Sequence, residues 1–126
     1  FLKNNTDNLV VLSAIFQYTA GEKNSIHEKM ADNAAKRRKK QPATRSIGSV
    51  FKNPENDFAG RLINQLHLKG TRFGDAQISQ KHANIFINVG NATANDWLHL
   101  MEFTQQKVLE NYGIQLEPEI LLIGEW

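Results

Sequence analysis

The sequence predicts an α+β domain, a small mixed sheet with helices packed against it. Three observations carry that prediction. Strand-like and helix-like segments interleave irregularly instead of alternating strictly. One long segment has a clear helical period, and the tail that follows it has a period of two. The 126 residues, 40% hydrophobic and 22% charged, suffice for one compact domain and not for two.

Taken in order, residues 9–19 (Leu9 to Thr19) are β-branched and aromatic with little polar alternation, which suits a strand covered on both faces. Gly21 ends it. Ser25 and Glu28 have capping-box spacing, and Ile26, Met30 and Ala34 recur every four residues, so a helix is expected from about Ser25 to Lys39. Its basic end offsets the helix dipole, and Pro42 stops it. Residues 41–54 are expected to be a loop. Asn56 or Asp57 can cap a helix that carries Phe58, Leu62, Ile63 and Leu66 on one face, ending at Lys69-Gly70. Short strands are expected near Arg72–Ser79 and Asn84–Asn88. The helix Ala94–Tyr112 turns Trp97, Leu100, Met101, Val108 and Leu109 inward, and Gly113 stands where a left-handed cap belongs. In Ile114–Ile123 alternate residues share a face, and Pro118 confines this strand to an edge or a bulge.

Composition excludes several classes. There is no cysteine, hence no disulfide, thiolate metal site or cysteine nucleophile. The formal charge of +2 is local in origin: Lys36, Arg37, Arg38, Lys39 and Lys40 supply five of the fifteen cations. Without that run ten cations face 13 carboxylates, a balance of −3. The most apolar stretch, Leu9–Phe16, is far short of the roughly 20 residues of a membrane helix, and no secretory leader is seen. The chain opens without methionine and reads as a piece of something longer.

Chemistry-bearing residues concentrate between Arg37 and Asn53. Gly48 lets backbone approach a ligand, Ser49 offers a hydroxyl, and Lys40, Lys52 and Asn53 supply donors suited to phosphate or carboxylate. By themselves these residues also describe a glycine-serine turn with solvated lysines. Glu117 and Glu119 share a strand face; partial burial there would strip Glu119 of water and favour its acid form. An edge strand showing polar residues to water is the plainer reading. The histidines have no ligand-like spacing, and only His82 sits in a polar cluster. Neither phosphate-cradling glycine pattern is present.

The ordered blocks Arg37…Gln41-Pro42, Gly48-Ser49-Val50-Phe51-Lys52-Asn53-Pro54, Ala59-Gly60-Arg61-Leu62-Ile63, Leu68-Lys69-Gly70, Ser79–Asn88 and Gly113-Ile114 with Leu116-Glu117-Pro118-Glu119 change the weights. Together they resemble the C-terminal, substrate-binding domain of the UDP-N-acetylmuramate dehydrogenases, also called UDP-N-acetylenolpyruvoylglucosamine reductases. The short Ala20–Asn24 connection is similar to the subgroup that lacks a tyrosine-bearing insertion.

The resemblance implies that residues 1–20 are the trailing piece of a preceding FAD-binding region and residues 21–126 the substrate-binding domain. It implies FAD, NADPH as co-substrate, and UDP-N-acetylglucosamine enolpyruvate as the molecule reduced. That places the protein in cytoplasmic peptidoglycan-precursor synthesis, and so in cell-wall biogenesis, cell shape and division. Ser49 then stands at the position of the proton donor and Glu119 at that of its catalytic companion. Arg37, Lys40, Lys52, Asn53 and His82 stand at or beside substrate-contacting positions. A further catalytic arginine and the flavin-binding part are not in this sequence, so the fragment is expected to be inert alone. No obligate protein partner, nucleic acid, membrane or metal is implied. Leu66-His67 and Asp75 depart from the usual Ala-Gly and second glycine, which puts the local turns in question. The competing class is a nucleic-acid module built on Lys36–Lys40, although that run lacks aromatic interleaving.

Overall fold

The structure is a computed structural model and describes residues 12–124. Its elements are α1 (Lys23–Lys40), β1 (Ser46–Ser49), α2 (Ala59–Gln65), β2 (Arg72–Phe73), β3 (Ala76–Ile78), β4 (Ile85–Asn88) and α3 (Ala94–Tyr112). The α+β class is as expected. The sheet, expected to be mixed, has the order β1-β4-β3-β2 and is antiparallel at every pairing. For β2–β3 and β3–β4 the short connections dictate that outcome, because a parallel pair needs a crossover of a dozen or more residues.

Val50 and Phe51, just after the exposed strand β1, and residues of β3 and β4 pack with α2 and α3 on one core. Phe51 and Phe86 sit at its centre, 6.0 Å apart with rings at 79°. Such an edge-to-face pair adds about 0.5–1.5 kcal/mol to the burial of the two rings. Helix α3 spans the residues the periodicity marks. Leu100, Met101, Thr104 and Val108 are buried, and Gly113 takes φ 66 as its cap. Its start is a capping box: the Thr93 hydroxyl accepts the Asp96 N–H, and the Asp96 carboxylate accepts the Thr93 N–H at 2.8 Å. Those bonds hold the Asp96 carboxyl below the usual range. Leu109, expected inward, is 38% exposed. It lies about 100° round the helix from Val108, beyond the edge of the buried stripe.

Several expectations need correction. Residues 12–19 of the expected first strand are irregular and exposed, with Ile15 fully so; residues 9–11 lie outside the described residues. A strand needs a neighbour for its N–H and C=O groups, and none of the four strands of the sheet pairs with this segment. Helix α1 starts at Lys23, capped by Glu22, whose carboxylate accepts the N–H groups of Asn24 and Ser25 at 3.0 and 2.7 Å. With the Ser25 N–H already satisfied, the capping box of Ser25 and Glu28 does not form. No residue of α1 is buried, so the Ile26/Met30 spacing meets no core among the described residues.

Helix α2 begins after Phe58 without a side-chain cap from Asn56 or Asp57 at its N-cap position. Instead Asp57 accepts the Phe58 N–H at 2.6 Å, and Asn53 accepts the Ala59 N–H at 3.1 Å. The Arg72–Ser79 segment is not one strand but the hairpin β2–β3, folded at Gly74 with φ 51. The expected loop 41–54 contains β1. The expected strand Ile114–Ile123 reduces to one bridge, Phe51 to Pro118. Its two hydrogen bonds run from Lys52 N–H to Glu117 and from Glu119 N–H to Val50, each 2.8 Å. Proline thus occupies the position in the ladder where no N–H is required.

Candidate active site

Residues from five segments wall a cleft of about 820 Å³. Ser49, Phe51, Lys52 and Asn53 come from β1 and the turn after it; Phe58, Gly60, Arg61 and Asn64 come from the start and outer face of α2. Lys69, the run Lys81–Asn84, and Glu119 complete it. Five of the residues singled out in the sequence, Ser49, Lys52, Asn53, His82 and Glu119, therefore share one cavity.

A bulge delivers Ser49. Three steps from Ser46 to Ser49 on β1 are matched by two from Ile87 to Ile85 on β4. An extra residue of this kind twists the strand and re-aims the side chain after it. Gly48 provides the necessary left-handed backbone at φ 81. A Cβ there would meet no atom of the chain within 4 Å, so what the fold itself requires at position 48 is the left-handed backbone. Ser49 itself is exposed to the cleft.

Glu119 reaches the same cavity because its N–H is bonded to Val50, the residue after Ser49. It is exposed, so the dehydration expected for a partly buried strand face is not supplied by the described residues. Lys52 is engaged: its ammonium pairs with Glu117, both side chains more than half exposed. An exposed pair of this kind is worth only about 0–1 kcal/mol and gives way readily to a stronger anion. Asn53 spends its oxygen on the N-terminus of α2, which leaves its NH2 group for a ligand.

His82 is half-buried. Its Nδ1 accepts the Asn84 N–H at 3.2 Å, which leaves the neutral ring with its proton on Nε2. Burial, and then the charge of Lys69, push its pKa below the usual histidine value. The Ser79 hydroxyl holds the turn before it by accepting the Lys81 and His82 N–H groups. Arg61 is pinned along α2, with Nε to Asp57 at 2.6 Å and one NH2 to Gln65 at 2.6 Å. That contact holds the Asp57 carboxyl below its ordinary range and raises the guanidinium further.

Two expected residues stand apart. Arg37 and Lys40 lie in the last turn of α1 and do not line the cleft; Arg37 donates to its neighbour Gln41 at 2.8 Å. Spacing along the chain says nothing about how a helix without a buried face lies against a pocket. The two regions touch through Lys81, whose ammonium reaches the Arg38 carbonyl at 3.4 Å. The run Lys36–Lys40 is a solvated helix end in which Lys36 pairs with Asp32 at 2.6 Å. Arg61, Lys69, Lys81 and Asn84 received no role from the sequence, although each falls inside a block that carries the resemblance. Four cations, Lys52, Arg61, Lys69 and Lys81, line the cavity with Glu119; Lys52 and Arg61 are paired with Glu117 and Asp57, which lie outside the lining. The arrangement suits a ligand with several negative charges.

A family model described as "UDP-N-acetylenolpyruvoylglucosamine reductase, C-terminal domain" matches residues 40–123. The chain belongs to this reductase family. The family span contains every residue that lines the cleft, and Arg37 falls outside it. Among curated relatives, a UDP-N-acetylenolpyruvoylglucosamine reductase of Exiguobacterium sibiricum is 46% identical over 117 residues, covering 92% of this chain and 38% of the relative. One of Listeria monocytogenes is 45% identical over 119 residues, 94% of this chain and 40% of the relative. The chain therefore spans about two fifths of the length of the curated relatives it matches. A crystal structure of the UDP-N-acetylenolpyruvylglucosamine reductase of Thermus caldophilus superposes with a TM-score of 0.64 at 43% identity, covering 78% of this chain and 34% of that one.

Two departures from the reductase pattern leave the turns intact. His67, expected to replace a glycine of the pattern, adopts φ 56, the one non-glycine left-handed residue among those described. At Gly74-Asp75 only the first central residue has positive φ, as a type II′ turn requires, so aspartate fits the second.

Proposed function

We infer that this chain is the substrate-binding part of a flavin- and NADPH-dependent reductase acting on UDP-N-acetylglucosamine enolpyruvate in cytoplasmic peptidoglycan-precursor synthesis. The observation that carries the reading is the shared cleft: the serine and glutamate at the family's catalytic positions line one cavity with four cations. Residues 1–20 would then belong to the preceding FAD-binding part.

The substrate carries a diphosphate and a carboxylate, and the cations with the NH2 group of Asn53 match that charge. When bound, the flavin supplies the hydride; no glycine-rich phosphate cradle for it is found in this sequence, so its contacts are assigned to the rest of the protein. Once hydride has been added at the alkene carbon farther from the carboxylate, negative charge develops at the neighbouring carbon. Cationic groups facing that charge lower the barrier. The Ser49 hydroxyl then delivers the proton that completes the reduced ether. A serine is a weak acid, and it needs a neighbour that stabilises the alkoxide it leaves. Lys52 becomes available for that task when a substrate anion releases it from Glu117. Glu119, lining the same cavity, is assigned the part of companion group, and His82 offers an Nε2–H donor to the substrate. Arg37 and Lys40 are assigned substrate contacts only if the end of α1 draws over the cleft on binding.

The test separates two half-reactions in the full-length protein. With Ser49→Ala, NADPH is expected to reduce the flavin at the normal rate, while re-oxidation by the enolpyruvyl substrate falls by roughly 100-fold or more. Normal re-oxidation removes Ser49 from its role.

A further inference from the structure

Asn84 is 4% exposed, and every polar atom it owns is engaged. Its side-chain oxygen accepts the Phe51 N–H at 3.0 Å, and its side-chain NH2 donates to the Phe51 carbonyl at 2.8 Å. Its own carbonyl accepts the Val50 N–H at 2.9 Å. Its N–H donates to His82 Nδ1 at 3.2 Å. A carboxamide meets the two Phe51 groups together, since it carries an acceptor and a donor side by side, whereas an ionised carboxylate offers acceptors only. The residue so clamped is the one between Val50 and Lys52, two positions after Ser49. The same asparagine thus touches both walls of the cleft.

We propose that Asn84 is the positioning residue of this site, setting the Ser49–Lys52 turn and the His82 ring in one frame. The proposal deepens the reductase reading and rests on it for its catalytic consequence. Displacing the turn by about 1 Å is enough to cost on the order of 100-fold in rate. A residue with a purely structural role would lower stability and leave the rate of each folded molecule unchanged.

Asn84→Asp gives a test with a sign. The ionised aspartate keeps an acceptor for the Phe51 N–H but sets a carboxylate against the Phe51 carbonyl. Protonation restores a donor at that place. The charged and titratable groups sharing the cleft with position 84 are Lys52, Arg61, Lys69, Lys81, His82 and Glu119. A carboxylate at position 84 shifts the titration of His82 beside it, so the ratio of Asn84→Asp to unsubstituted rate is read at each pH in a His82→Gln background as well as in the otherwise unsubstituted protein.

In the full-length protein Asn84→Asp is expected to lose on the order of 100-fold in substrate-dependent flavin re-oxidation near pH 8, with the substrate KM changed far less. The ratio should recover as pH falls toward about 5.5, because burial favours the acid form of the new carboxyl. Asn84→Ala should lose as much and recover nothing. A pH-independent ratio for Asn84→Asp, or Asn84→Ala within twofold of the unsubstituted rate per folded molecule, overturns the proposal. Should the variants fail to fold, the unsubstituted protein decides by NMR. A scalar coupling across the bond from the Phe51 amide to the Asn84 carboxamide, with His82 protonated at Nε2 alone, is the expected result. Absence of that coupling, or a proton on Nδ1, overturns it. Should the full-length protein fail to reduce the enolpyruvyl ether at all, the reductase reading falls, while the Phe51 and His82 measurements still decide the place of Asn84.

Discussion

Replacing His67 by glycine should make the protein more stable, although it removes a whole side chain. His67 sits just beyond α2 with φ 56, and its N–H donates to the Asn64 carbonyl at 3.0 Å. Its imidazole is exposed, so the substitution gives up little packing. A left-handed residue with a Cβ costs about 1–2 kcal/mol, a cost glycine does not carry. Against this, glycine loses more freedom on folding, about 0.5–1 kcal/mol. The balance is a gain of about 0–1.5 kcal/mol. Equilibrium urea denaturation measures it as a raised midpoint at unchanged slope. His67→Ala is the control: it also deletes the imidazole but keeps the Cβ, so it should gain nothing. If the glycine variant were no more stable than the alanine variant, the left-handed backbone at position 67 would not be a source of strain.

Two further outcomes follow from the cleft. A Cβ on Gly60 would lie 3.3 Å from the His82 ring and 3.6 Å from Asn84. Gly60→Ala should therefore leave urea stability within about 1 kcal/mol, since helix propensity offsets the crowding, yet weaken binding of the enolpyruvyl sugar nucleotide by several-fold in calorimetry. Unchanged affinity would show that the ring yields without consequence. His82 titrates below its unfolded value of 6.5, so the unfolded chain takes up its proton first as pH falls. Its contribution is complete above that value and lost below it, and His82→Gln should flatten the stability decline between about pH 8 and pH 5.5. In that window the carboxylates stay ionised. An equally steep decline in the variant would assign the effect elsewhere.

Local signals were reliable where one element satisfies its own backbone. The α3 boundaries, its cap at Gly113 and the buried Leu100, Met101 and Val108 all follow from a 3.6-residue period, because a helix closes its hydrogen bonds internally. The same kind of reading failed for residues 12–19 and for Ile114–Ile123. Strand-like composition states a preference, but a strand exists only beside a partner, and the second segment finds one at Pro118 alone. The cap of α1 was missed because Glu22 and Glu28 compete for the Ser25 N–H, and only geometry decides between them.

For the site, the identity of the residues was legible and their arrangement was not. The ordered blocks named Ser49, Lys52, Asn53, His82 and Glu119, and they assigned Arg37 and Lys40 beside them. The tertiary structure separated those last two from the cleft and brought in Arg61, Lys69, Lys81 and Asn84. The chain by itself determined an α+β domain of this reductase family and the side chains able to bind anions and move a proton. Only the folded state decided that a bulge at Gly48 aims Ser49, that Pro118 carries Glu119 to it, and that Asn84 clamps Phe51 from 33 residues away. The physical reason is that residue type sets what a group can donate or accept. Pairing and burial between distant segments set which groups meet.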